Sequence, residues 1–226
     1  AMEFLEISRM LSTEVDQHNS KAIELLKALV GFDTTSYNSN LNLIEFIQSY
    51  LLSYGVESTL IHNENGKKAN LYATIGRTDT GGVMLSGHTD VVPVEGQEWN
   101  SDPFSLKESD GNLYGRGSAD MKGFIALALS RVPEMVSKEL TQPIHLAFSY
   151  DEEIGCVGVQ RMLDLLEHQP IKPSCCIIGE PTSMEVVIGH KGKHASRVKI
   201  NGHACHSGQS PFGVNAIDFA AELIVY

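Results

Sequence analysis

A chain of 226 residues that is 42% hydrophobic and 20% charged has the composition of a globular protein with a substantial core. Its formal net charge of −11 argues against nucleic acid as a partner, and no apolar run approaches the length of a membrane span. The start lacks a basic-then-apolar signal pattern, and Cys156, Cys175, Cys176 and Cys205 show no CxxC spacing, so a cytoplasmic protein without a disulfide framework is expected.

Ala1 reads as a residue ahead of a native start at Met2. Residues 4–30 are expected to be helical, with Ile23, Leu25, Leu26, Leu29 and Val30 as the apolar stripe and Gly31 as the stop. A turn-rich loop over 33–38 leads to a second helix at 40–54, turning Leu43, Ile44, Ile47, Leu51 and Leu52 inward. Strands follow at 56–62, 69–75 and 82–88, the first two joined by a turn at 63–66. Residues 91–106 read as irregular and hold the single tryptophan, Trp99. A helix over 119–137 would face Phe124, Leu127, Ala128 and Val132 inward, with Pro133 kinking or ending it. Beyond it come a strand of alternating character at 144–150, a helix at 157–167 and a buried strand at 175–178. In that last strand Cys175 and Cys176 would act as small hydrophobes. Strands alternating with helices predict a layered α/β domain.

The character changes near Glu185. A strand at 194–200, a polar loop at 202–213 and an amphipathic helix at 214–225 cannot bury all their apolar surface against each other, so a second domain is expected to begin here. The expected division is 1–188 and 189–226.

Polar residues collect where the strands end. His88 and Asp90, two apart after an apolar run, project to one side, as a metal ligand and its partner do or as an ordinary hydrogen-bonded loop does. Asp120 heads a helix, a normal place for a carboxylate. Asp151-Glu152-Glu153 reads equally as a solvated turn, and Glu180-Pro181-Thr182 as the start of a loop. Taken together, these segments bring one imidazole and several carboxylates to the sheet edge where open α/β folds bind ligands. Such crowding of negative charge calls for a cation. A mixed nitrogen and oxygen set suits zinc, manganese or cobalt better than calcium.

The runs Ser86-Gly-His-Thr-Asp-Val-Val-Pro93, Gly115-Arg-Gly-Ser-Ala-Asp-Met-Lys-Gly123, Asp151-Glu-Glu153 and Gly179-Glu-Pro-Thr182 resemble, in order and spacing, the zinc aminopeptidase-like family. The resemblance extends from about residue 20 to the chain end. Trp99-Asn-Ser-Asp-Pro-Phe104, Ile178-Gly-Glu-Pro-Thr-Ser183 and His190-Lys-Gly192 are most similar to the family's acetylornithine deacetylase branch.

The resemblance implies an α/β layered catalytic domain with a central mixed, largely parallel sheet, plus the start of a smaller α+β lid and dimerisation domain. It implies two zinc ions, replaceable by cobalt or manganese. His88 would bind one metal with Asp90 orienting its ring, Asp120 would bridge both, Glu180 would complete the first site and Glu153 would join the second. Glu152 would be the general base, and a cis peptide would follow Asp120. In the second part His206, with His203 as competitor, would stabilise the oxyanion, commonly from a partner subunit. Asn215 would touch substrate or simply start a helix. A further histidine of the second metal site would lie past residue 226, making this chain roughly the first three-fifths of a member, with little activity alone. The implied whole is a homodimer that takes a small N-acyl amino acid. It would remove the acetyl group of N2-acetyl-L-ornithine to give L-ornithine and acetate, a step of arginine biosynthesis. Rival readings are desuccinylation of succinyl-diaminopimelate, dipeptide hydrolysis, or a catalytically silent metal-binding fragment.

Overall fold

In the computed structural model, which describes residues 18–192 and 194–226, helix α1 spans 18–30. The remainder of the expected first helix, 4–17, lies outside the described residues. Leu25, Leu26, Leu29 and Val30 are buried as expected, whereas Ile23 is 39% exposed on the flank of the stripe. Helix α2 (Leu41–Ser53) buries Leu43, Ile44, Ile47 and Leu51. Leu52 does not face inward, because one step past Leu51 turns it about 100° away from the core.

Five strands build the main sheet: β1 (Ser58–His62), β2 (Ala69–Ile75), β3 (Val83–His88), β6 (Ile144–Ser149) and β7 (Cys175–Ile178), in the order β1-β2-β6-β3-β7. β1–β2 and β2–β6 run antiparallel, whereas β6–β3 and β3–β7 run parallel, so the expected mixed α/β sheet is present. One face carries Ala69, Leu71, Ala73 and Ile75 of β2 with Leu146 and Phe148 of β6, packed against α1, α2 and helix α3 (Lys122–Ser130). On the other face, β6 His145 satisfies its buried ring by bonding Tyr72 Oη at 2.7 Å and Thr74 Oγ1 at 3.0 Å through Nδ1, and the Gly81 carbonyl at 2.8 Å through Nε2. A central strand covered on both faces has no exposed side, so β6 is buried almost throughout instead of alternating.

Several expectations shift. The predicted 119–137 helix divides into α3 and α4 (Val132–Ser137), with Pro133 in the first turn of α4, where its missing N–H costs nothing. The inward stripe runs through Ile125, Ala128, Leu129 and Val132; Leu127 faces out and Phe124 is half-buried. The irregular stretch after His88 leads into a short hairpin, β4 (Lys107–Ser109) with β5 (Asn112–Tyr114). Its turn is Asp110-Gly111, both with positive φ, the sequence signal for a tight hairpin. The next helix, α5 (Gln160–Glu167), begins three residues later than predicted. β7 has the expected bounds but is not buried: it is the edge strand, and Cys175, Cys176, Ile177 and Ile178 are all exposed. The two thiols therefore do not act as core hydrophobes.

The chain divides into compact units after Met184. Within the second, residues 194–200 are not a strand; no partner strand for them stands among the described residues. An isolated bridge joins His203 to Val214, a 3-10 turn covers Ser207–Phe212, and helix α6 spans Ala216–Val225. No helix of the described residues is long and apolar enough to cross a membrane.

Candidate metal centre

The parallel strands explain why distant residues meet. His88 pairs in register with Ser149, and Ser86 with Ile178, so the loops that follow β3, β6 and β7 leave the same edge of the sheet. Those loops carry Asp90, Asp151-Glu152-Glu153 and Glu180. Asp120, just ahead of α3, completes the set, and its peptide bond to Met121 is cis.

His88 is the centre, with a side chain only 2% exposed. Its Nδ1 bonds the Asp90 main-chain carbonyl at 2.9 Å, with the Asp90 carboxylate 3.5 Å away. That leaves Nε2 aimed at three carboxylates: Asp120 Oδ1 at 2.9 Å, Glu180 Oε1 at 3.7 Å and Glu152 Oε2 at 3.8 Å. Ligand atoms of His88, Asp120 and Glu180 all lie within 4.8 Å of one another, as do those of His88, Glu152 and Glu153. The ring is thus oriented chiefly by the Asp90 backbone. The Asp90 carboxylate is engaged elsewhere, accepting the Ser36 hydroxyl at 2.7 Å and the Glu152 and Glu153 amides at 3.0 and 3.2 Å.

The electrostatics match the geometry. Burial opposes charge on Asp90, yet the His88 ring 3.5 Å away and hydrogen bonds from Ser36 and the Glu152 amide outweigh it and hold its pKa below the usual range. Burial, with Asp120 and Glu152 nearby, raises the pKa of Glu153, and the same neighbours raise that of Glu180. Burial also opposes charge on His88, but Asp90 and Glu180 lift its pKa to about 9. A cluster that retains protons on its imidazole and resists ionising its carboxylates lacks positive charge. One imidazole with several convergent carboxylates fits a divalent transition metal.

A profile described as peptidase family M20/M25/M40 matches residues 84–224, which include His88, Asp90, Asp120, Glu152, Glu153 and Glu180. The chain belongs to this family. It is 37% identical over 211 residues to an acetylornithine deacetylase of Pasteurella multocida (strain Pm70) and 36% identical over 212 residues to one of Proteus mirabilis (strain HI4320). Each match covers 90% of this chain and 54% of the relative, so the chain spans about half the length of the curated relatives it matches. The fold is shared with human carnosine dipeptidase 1 at a TM-score of 0.61 and 24% identity, covering 70% of this chain and 37% of that one. It is shared also with a tripeptidase from Staphylococcus aureus at 0.60 and 17%, covering 91% of this chain and 56% of that one.

The structure therefore brings together His88, Asp90, Asp120, Glu152, Glu153 and Glu180. His206 and Asn215 belong to the second unit. There, the Gly208 amide donates to His206 Nδ1 at 3.1 Å, which places the ring hydrogen of a neutral imidazole on Nε2. Asn215 is the cap of α6: its Oδ1 accepts the Ile217 amide at 3.1 Å and its Nδ2 donates to Asp218 at 3.0 Å.

Sequence spacing does not point to four further residues. Ser36 grips Asp90 from a loop 54 positions away. The Cys156 thiol donates to Glu152 Oε1 at 3.3 Å, and its backbone has a positive φ. Gly179 and Phe124 seat Glu180: a Cβ on Gly179 would stand 1.9 Å from Phe124 Cγ, the root of the ring, so neither can yield cheaply. Gly179→Ala is expected to cost about 1–3 kcal/mol through overpacking and to weaken metal binding by displacing Glu180. Denaturant melts and cobalt titration check this, and adding Phe124→Ala should recover much of both losses.

Proposed function

We infer that the full-length protein hydrolyses the amide of an N-acyl amino acid, with N2-acetyl-L-ornithine as substrate and L-ornithine and acetate as products. The observation that carries this reading is the convergence of His88, Asp120 and Glu180 at one sheet edge, with Glu152 and Glu153 beside them. The relatives named acetylornithine deacetylase support the substrate.

His88, Asp120 and Glu180 would hold one zinc ion, and Asp120 with Glu153 would contribute to a second; cobalt or manganese suits the same donors. Such a metal supplies a Lewis acid for the acyl carbonyl and lowers the pKa of water at the site. Asp120 is half exposed and Glu152 37% exposed, so a small substrate and water can reach both. Glu152 takes the proton of the attacking water on its carboxylate and returns it to the leaving amine. Asp90 holds the start of the Glu152-Glu153 turn through two amides and keeps both carboxylates aimed at the site. His206, with its hydrogen on Nε2, is equipped to donate to the developing oxyanion of the partner subunit in a homodimer. Asn215 serves that loop by capping α6.

Turnover by the full-length protein on acetylornithine, succinyl-diaminopimelate, acetylmethionine and a set of dipeptides tests the assignment. Acetylornithine should give the highest kcat/KM. A higher value for any other member reassigns the substrate, and no turnover on the whole panel with metal bound removes the hydrolase reading.

A further inference from the structure

Lys68 is a charge placed where charge is costly. It stands immediately ahead of β2 with its side chain 13% exposed, and its Nζ lies 2.5 Å from the Ser36 carbonyl and 2.5 Å from Asp151 Oδ1. Asp151 is as enclosed as Lys68, at 12%. Lys68 is also held at its backbone, where its N–H donates to Asn63 Oδ1 at 3.0 Å and its carbonyl accepts the Asn63 amide at 2.9 Å. The ammonium thus comes from a fixed point on a hairpin. A lysine so enclosed is retained only if its partners compensate for lost hydration.

The two groups it joins are the two arms that hold Asp90. Ser36 donates its hydroxyl to Asp90 Oδ2 at 2.7 Å. Asp151 is followed directly by the two amides that donate to the same carboxylate at 3.0 and 3.2 Å. The bonds therefore close a ring: Lys68 to Ser36, Ser36 to Asp90, Asp90 to the Glu152 and Glu153 amides, and Asp151 back to Lys68. Asp151 enters this ring with φ of +56°, a left-handed conformation that costs L-residues energy, though Asp and Asn less than most, and that a fixed partner helps to hold. The ion pair supplies that constraint at the residue where the chain leaves β6 and turns toward His88.

We propose that Lys68 is a positioning residue for the catalytic turn: by fixing Asp151 it sets the direction in which Glu152 and Glu153 present their carboxylates. The proposal rests on Glu152 being the general base. It assigns a function to a hairpin residue 84 positions before that base, one that touches neither substrate nor metal.

The test uses the full-length, cobalt-loaded protein with Lys68→Met, Lys68→Arg, Asp151→Asn and the Met/Asn double variant. A misplacement near 1 Å at a reacting group costs roughly 100-fold, so Lys68→Met should lower kcat about that much. KM should stay within about twofold, because substrate contacts are untouched. The cobalt absorption bands should move as Glu153 shifts. Asp151→Asn should do the same, the double variant should be no worse than either single one, and Lys68→Arg should restore much of kcat. If Lys68→Met does not fold, Asp151→Asn, which removes the carboxylate charge that pairs with the ammonium while nearly preserving volume, decides the question alone. A variant that melts earlier but keeps wild-type kcat and cobalt bands overturns the proposal and leaves only a stabilising ion pair. Single effects that simply add overturn it as well. If the wild type binds cobalt but hydrolyses nothing, the hydrolase reading fails and the bands still judge Lys68; if it binds no cobalt, both fall.

Discussion

Glu152→Gln in the full-length protein is expected to reduce kcat by about 10²–10⁴-fold while metal content and KM stay near wild type. The expectation comes from how the residue is held. Its amide is tied to Asp90 at 3.0 Å, its Oε1 accepts the Cys156 thiol at 3.3 Å, and its Oε2 faces His88 Nε2 at 3.8 Å. Glutamine has the same shape and can keep an oxygen toward Cys156, but it cannot accept a proton. Because Glu152 and Glu153 both lie within ligand distance of His88, metal content is the deciding second measurement. Glu153→Gln should lose bound metal and Glu152→Gln should not. If the two variants behave the other way round, their assignments exchange; if Glu152→Gln keeps full turnover, the base lies elsewhere.

That pair also shows what was legible before the fold was known. The strand ends carrying His88, Asp151 and Glu180 follow local rules, with apolar runs setting the strands and polar residues marking where they stop. β2 and β7 have their predicted bounds for the same reason. Periodicity could not reveal the depth of each strand, because burial depends on neighbours far along the chain. β6 lies in the middle of the sheet and is buried on both faces, whereas β7, equally apolar, lies at the edge and is exposed. The shell around the site was illegible on the same grounds. Ser36 and Lys68 occupy loops of ordinary turn composition, and their roles arise only when the register of β3 and β6 places Asp90 against Glu152. The Asp110-Gly111 hairpin differs: its signal is local and was there to be read.

A single proton at His88 is expected to link folding, pH and metal. Without metal, burial disfavours the imidazolium, but Asp90 and Glu180 raise its pKa from 6.5 to about 9. The folded chain therefore binds this proton more tightly than the unfolded chain does. The stability this confers is fully present below pH 6.5 and is lost as pH rises through about 9, on the order of 3 kcal/mol over that window. Lys122, whose pKa burial lowers from 10.5 to about 7, gives the opposite slope over much of the same window, so the His88 contribution is read as a difference: between those pH values the melting midpoint of the metal-free wild type should fall relative to that of His88→Gln. A divalent cation needs the same Nε2, so binding near pH 7 must displace the proton. Cobalt affinity should then weaken by about tenfold for each pH unit below 9. Protonation of Glu153 and Glu180, whose pKa values are also raised, should steepen the loss at the acid end. Calorimetric titration at pH 7 in buffers of different ionisation enthalpy counts the protons released. A release close to one that disappears in His88→Gln would establish that proton and metal occupy the same place, whereas metal binding with no proton release would remove His88 from the centre.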